Sequence, residues 1–287
     1  MRVGLSLPVL TADDDSAGWE RSGDVGALVR IARAADDLGY HHLSSGEHIA
    51  VPPNLRRWDG KLRGTTYWDP LPTFAYLAAT TQRIRFATFV LVIGYHHPLA
   101  LAKSYGTLDL LTGGRLILGL GVGTLEEEFD LLGVSFKDRG RRADDSLGAL
   151  RAALSTPQPH YDGRYFSFAE AVVSPNGSGN PIPIWIGGHS RRALQRALAY
   201  GTGWAPNGLT AEQIAALLSE VELPAGFDLV LGTSALDPRG DPDGTRRSLH
   251  GLQAAGATVA NVHLKQDSVE DFLAQSDALR RLWPSEG

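Results

Sequence analysis

Eight short apolar runs alternate with segments of helical apolar spacing along the 287 residues. The runs fall at 3–8, 42–49, 84–93, 113–123, 183–187, 203–206, 227–233 and 258–264. The helical segments between them show it most plainly after Asp24, where Ala27, Leu28, Ile31, Ala34, Ala35 and Leu38 recur at a 3.6-residue period until Gly39. Further helices are expected from Asp69 with Pro70 in its first turn, from Pro98, and over 138–154, 190–200, 211–220, 243–255 and 269–282. Regular β–α alternation implies parallel βαβ units. Eight units in a chain of this length fit a closed (β/α)8 TIM barrel better than an open sheet. No linker divides the chain, so one domain over 1–287 is expected, with insertions after strands two and four at 50–68 and 161–179. In a barrel the first insertion hangs over the face where chemistry is done.

The fourth run is the most glycine-rich. Gly113, Gly114, Gly119, Gly121 and Gly123 flank Leu116, Ile117 and Leu118, and Thr124 stands three residues before Glu127. A turn, a buried strand, a closely approachable loop and a helix opened by a capping box are expected here.

Composition excludes several classes. With no cysteine, disulfides, thiol catalysis and zinc–thiolate sites are ruled out. A net charge of −5 without a dominant basic face gives no expectation of nucleic acid. The N-terminus turns acidic too quickly for a signal peptide, and no apolar run approaches the roughly 18 residues of a membrane span. A cytoplasmic protein without membrane partners is expected.

Three motifs bear on chemistry. Gly187, Gly188, His189 and Ser190 form a strand–turn–helix start whose free backbone N–H groups suit a phosphate, or else a plain βα turn capped by Ser190. Glu47 and His48 close the second strand at the active face. There His48 serves either as an acid or base near neutral pH or as a loop anchor. His41 and His42, like His96 and His97, are adjacent on extended chain and should point to opposite faces, so neither pair chelates a metal by itself. Glu126, Glu127 and Glu128 read as acids favourable to a helix N-terminus. Lys265 is the one lysine of four at a strand end, and Schiff-base aldolase or isomerase chemistry would require its desolvation. Residues 139–142 with Asp144 and Asp145 read as a solvated, charge-paired helix start.

Taken together, three stretches resemble the bacterial luciferase-like monooxygenase superfamily: the central segment at 83–145, IPIWIGGHSRRALQRALAYGTGWAP at 182–206 and LGYHHLSSGEHI at 38–49. The ordered matches span about 1–220. Compact length and the Arg-Gly-Arg-Arg helix start are most similar to the branch assigned to coenzyme F420. The resemblance implies a barrel that is usually a homodimer and holds a deazaflavin or flavin (F420, with FMN the alternative). It also implies a cofactor phosphate on Gly187, Gly188, His189 and Ser190, a non-proline cis peptide at Phe89–Val90 behind the ring, and a pocket wall of Gly121, Val122 and Gly123. Three departures stand out. Glu47 replaces the usual Asp, His96 replaces a common Arg, and Thr124 lies near where sugar-phosphate dehydrogenase members carry an acidic glutamate.

The resemblance implies an F420-dependent oxidoreductase passing hydride between the deazaflavin C5 and a small organic substrate, with His48 as proton donor and Glu47 beside it. The alternatives are an FMN-dependent monooxygenase and a non-catalytic flavin-binding protein. In the first insertion, Trp58, Tyr67 and Trp68 would cover an apolar substrate while some of Arg56, Arg57, Lys61 and Arg63 face the acidic F420 tail. The alternative there is a solvated basic loop.

Overall fold

Parallel strands close on themselves in the computed structural model, which describes residues 1–12, 18–21, 24–56 and 64–284. The barrel strands are β1 (Arg2–Ser6), β2 (His42–Ser45), β3 (Arg85–Thr88), β4 (Leu116–Gly121), β5 (Ile184–Gly187), β6 (Gly203–Ala205), β7 (Asp228–Gly232) and β8 (Val259–Val262). Each pairs in parallel with its sequence neighbours, β8 with β1, and the β4–β5 pair (Leu118 opposite Ile184) completes the ring. The fold is therefore a (β/α)8 barrel. The longer helices that connect or follow the strands are α1 (Val25–Asp37), α2 (Pro70–Ala78), α3 (Pro98–Thr112), α4 (Arg139–Ser155), α5 (Arg191–Tyr200), α6 (Ala211–Leu218), α7 (Pro242–Ala254) and α8 (Val269–Leu282).

Local chemistry starts these helices as the sequence implies. The Asp24 and Asp69 carboxylates accept from the Gly26 and Leu71 amides at 2.8 and 2.9 Å, and Thr210 with Gln213 forms a full capping box on α6. Leu28, Ile31, Leu249 and Phe272 are wholly buried between helix and sheet, each contributing about 1.5–3 kcal/mol of apolar burial. Inside the ring a second, smaller cluster joins Ala87, Ile117, Trp185, Ala205, Val230 and Val259.

Two expectations are corrected here. The third apolar run is not one strand: it breaks after Thr88, the Phe89–Val90 peptide bond is cis, and pairing resumes at Leu91–Val92 against Leu120 and Gly121. Thr124 does not cap a helix, because the short helix Glu126–Leu131 has Leu125 at its N-cap with no side-chain cap bond. Between β1 and α1 lie the two-residue strand Thr11–Ala12 and the short helix Gly18–Arg21. Thr66–Tyr67, in the first insertion, pairs antiparallel with Thr11–Ala12. The second insertion holds a hairpin, Tyr161–Asp162 paired with Ser167–Phe168.

Candidate active site

At the C-terminal ends of the strands the loops surround a cavity of about 790 Å³, within the size range of cofactor and ligand pockets. Glu47, His48, Phe89, Val90, Gly121, Val122, Gly123, Gly187, Gly188, His189 and Ser190 all line it. Residues from four separate stretches thus meet at the active face.

The side chain that organises this rim was passed over in the sequence. Glu128 is wholly buried, and its carboxylate reaches the loop after β2. Oε2 lies 2.7 Å from His48 Nδ1 and accepts from the Tyr95 hydroxyl at 2.8 Å, while Oε1 accepts from the Ile49 and Ala50 amides. Burial pushes the Glu128 carboxyl up, but the hydrogen bonds from His48, Ala50, Tyr95 and Ile49 together hold it below the usual carboxylate range. An anionic acceptor keeps a proton on His48 Nδ1. Tyr67 packs edge-on against the same ring at 4.5 Å.

Glu47 behaves differently. Its Oε2 accepts from the Val92 amide at 2.9 Å and its Oε1 lies 2.7 Å from His96 Nε2. Two of the three departures from the family pattern, Glu47 and His96, are therefore partners. Glu47 ties the β2 end to the segment that restarts pairing after Val90.

The glycines of β4 make room for protein. A Cβ on Gly121 would come within 2.7 Å of Val90 Cγ2, and one on Gly123 (φ +78°) within 2.6 Å of the Phe129 ring. A Cβ on Gly187 would meet Val90 Cγ1 at 3.2 Å. The Val90 side chain packs into the hollow left by Gly121 and Gly187.

Across the cavity, Gly188 (φ +117°) turns the chain from β5 into α5, and Trp204 Nε1 donates to its carbonyl at 2.9 Å. Ser190 Oγ caps α5 by accepting from the Ala193 amide at 3.2 Å. The other N–H groups of that first turn have no acceptor within the helix. Arg196 and Arg139 border the same end. The Arg196 Nε donates to Asp144 Oδ1 at 2.5 Å, and Arg139 Nε donates to the Gly123 carbonyl at 3.1 Å. Residues 139–145 are therefore not a solvated start. Asp145 also accepts from the Tyr165 and Phe166 amides and anchors the hairpin.

The histidine pairs take structural places. His41 precedes β2, and its Nδ1 meets that of His42 at 3.0 Å, so the two rings do not point to opposite faces. His97 Nδ1 accepts from the Leu99 amide at the start of α3. Lys265 is largely exposed beside Asp237 at 3.5 Å, unlike a desolvated Schiff-base lysine. Of the first insertion, Arg57, Trp58, Lys61 and Arg63 lie outside the described residues.

A family model described as luciferase-like monooxygenase matches residues 1–226. The chain belongs to this family. Among family relatives, an uncharacterized protein of Mycobacterium tuberculosis (strain H37Rv) is 30% identical over 215 residues, covering 71% of this chain and 73% of that one. The 4-hydroxyprotoasukamycin monooxygenase of Streptomyces nodosus subsp. asukaensis is 34% identical over 131 residues, 46% of this chain and 32% of its own. The crystal structure of monooxygenase RslO1 from Streptomyces bottropensis superposes with a TM-score of 0.76 at 19% identity, covering 99% of this chain and 98% of that one. This likeness shows the (β/α)8 barrel fold. Among the described residues no helix is long and apolar enough to cross a membrane.

Proposed function

We propose that this luciferase-like protein is an F420-dependent oxidoreductase that moves hydride between the deazaflavin C5 and a small organic substrate. The observation that carries this reading is the His48–Glu128 pair on the cavity wall, a proton carrier whose ring nitrogens have been given different roles. Hydride transfer to an unsaturated substrate leaves a charge that a nearby acid must neutralise. Bound deazaflavin would supply the carbon that gives or takes the hydride.

The residues present fit such a group. Gly187, Gly188, His189 and Ser190, with the first turn of α5, would hold its phosphate by backbone N–H groups at a positive helix end. Phe89, Val90, Gly121, Val122 and Gly123, which line the cavity, would form the wall behind the ring. Arg139 and Arg196 add positive charge on the phosphate side. His48 holds its Nδ1 proton against Glu128 and exchanges a proton through Nε2, while Glu47 fixes the loop that carries it. In this reading the enzyme works as a cytoplasmic homodimer.

A second reading, an FMN-dependent monooxygenase, draws support from the monooxygenases among the relatives, the protein from Streptomyces nodosus in particular. Fluorescence titration separates them. F420 is expected to bind at least tenfold more tightly than FMN, a gap of about 1.4 kcal/mol. The reverse order would replace the first reading with the second. A cofactor-loaded protein whose turnover of a substrate panel is nil, and is unchanged by His48→Ala, would be a non-catalytic binder.

A further inference from the structure

A line of polar side chains crosses the barrel interior directly under the cavity. His41 Nδ1 lies 3.0 Å from His42 Nδ1, His42 Nε2 lies 3.1 Å from Asn261 Oδ1, and the Ser44 hydroxyl donates to that same oxygen at 2.7 Å. His42, Ser44 and Asn261 are all at most 1% exposed. Their place is built into neighbouring positions as well. Gly4 has no side chain where a Cβ would come within 2.2 Å of the His42 ring, and Trp185 packs edge-on against that ring.

The roles in this line follow from donor and acceptor counts. Among the described residues the buried Ser44 hydroxyl has Asn261 as its partner, and its proton needs an acceptor, so the Asn261 carbonyl oxygen faces Ser44. Burial pushes His42 down to about 4 and His41 to about 2, so both rings are neutral and each carries one proton. His42 Nε2 then donates to Oδ1, and His42 Nδ1 accepts from His41 Nδ1. Both lone pairs of Oδ1 are taken. The amide is locked in one orientation, and among the described residues its Nδ2 has no hydrogen-bond partner even though Asn261 borders the cavity. A buried donor left unmade is costly, which a ligand oxygen relieves.

We propose that Asn261 reads the bound ligand: its Nδ2 donates to a carbonyl or anionic oxygen deep in the cavity, and the His41–His42–Ser44 line keeps the amide turned that way. This positioning role rests on the cavity holding a cofactor and substrate, though not on which cofactor. The oxygen belongs either to the pyrimidine carbonyls that F420 and FMN share or to the substrate.

Asn261→Asp tests it, since aspartate keeps the shape and the acceptor for Ser44 and His42 but puts an oxygen where the donor was. The component that carries the oxygen is expected to bind about tenfold more weakly or worse. A raised cofactor dissociation constant with a shifted visible absorption band, and unchanged substrate KM, assigns it to the cofactor. A raised KM with an unchanged cofactor constant and spectrum assigns it to the substrate. Asn261→Ala, which removes the donor without adding charge, is expected to move the same parameter less. A lowered melting temperature with both affinities unchanged in both variants would overturn the proposal. Should the wild type bind neither F420 nor FMN, the functional reading fails. A crystal structure of the protein as purified then decides this proposal separately: Nδ2 turned to a protein acceptor overturns it, and Nδ2 within hydrogen-bond distance of a bound oxygen-bearing molecule supports it.

Discussion

Replacing Glu128 by glutamine is expected to lower turnover at least 100-fold and to destabilise the protein by about 3 kcal/mol. The size is right for a wholly buried group that accepts from His48, Tyr95, Ile49 and Ala50. A glutamine carbonyl can still serve the Ile49 and Ala50 amides. Its NH2 group would then face His48 Nδ1, which must give up its proton and become an acceptor. The imidazole switches tautomer and presents the wrong nitrogen. Nitrogen-15 NMR of His48 reads that switch directly, and urea denaturation reads the stability. Lost stability with an unchanged tautomer and unchanged turnover would make Glu128 a mere strut. The pH dependence has a definite sign. A carboxyl held below its ordinary value of 4.5 contributes stability above that pH and loses it as pH falls through the folded-state value. The stability gap between wild type and Glu128→Gln is therefore expected to be widest near neutral pH and to close below about 4.5. A gap that stays constant down to pH 3 would mean the carboxyl is not held ionised.

The sequence made the barrel legible because short apolar runs and segments of period 3.6 alternate eight times, and helix α8 falls at the expected 269–282. Hydrophobicity alone could not reveal the break at Phe89–Val90, since the run stays apolar on both sides of it. The pairing of Thr11–Ala12 with Thr66–Tyr67 joins residues far apart in sequence, and two-residue strands leave no periodic trace. The site divides in the same way. A Gly-Gly turn before a helix and a histidine at a strand end are local signals, and Gly187, Gly188 and His48 all line the cavity. Glu128 was hidden by its neighbours Glu126 and Glu127, which face solvent as helix-start acids do. A signal was present all the same: Leu125 and Phe129 are one turn apart, and Glu128 lies on the face they bury. Asn261 gave a similar signal as a polar residue amid the β-branched Val259–Val262 strand, where asparagine is unfavoured.

Gly119→Ala is expected to be the most damaging single-methyl change in the chain. A Cβ there would lie 1.9 Å from the Thr88 carbonyl oxygen, a backbone atom that no rotamer change can move. The same pair is stitched twice more, with Thr88 Oγ1 donating to the Gly119 carbonyl and accepting from its amide, both at 2.8 Å. Relief requires β3 to part from β4 at the point where the Phe89–Val90 wall begins, so packing and site fail together. The expected cost exceeds about 4 kcal/mol, a drop in melting temperature of about 8 °C or more, or loss of soluble protein. Gly251→Ala supplies the contrast. That glycine lies within α7, a Cβ would meet nothing within 4 Å, and alanine should add about 0.5–1 kcal/mol through helix propensity. Differential scanning calorimetry of the two variants measures both. Opposite shifts are expected, and a Gly119→Ala protein melting within about 2 °C of wild type would show that the two strands do not approach as closely as this packing requires.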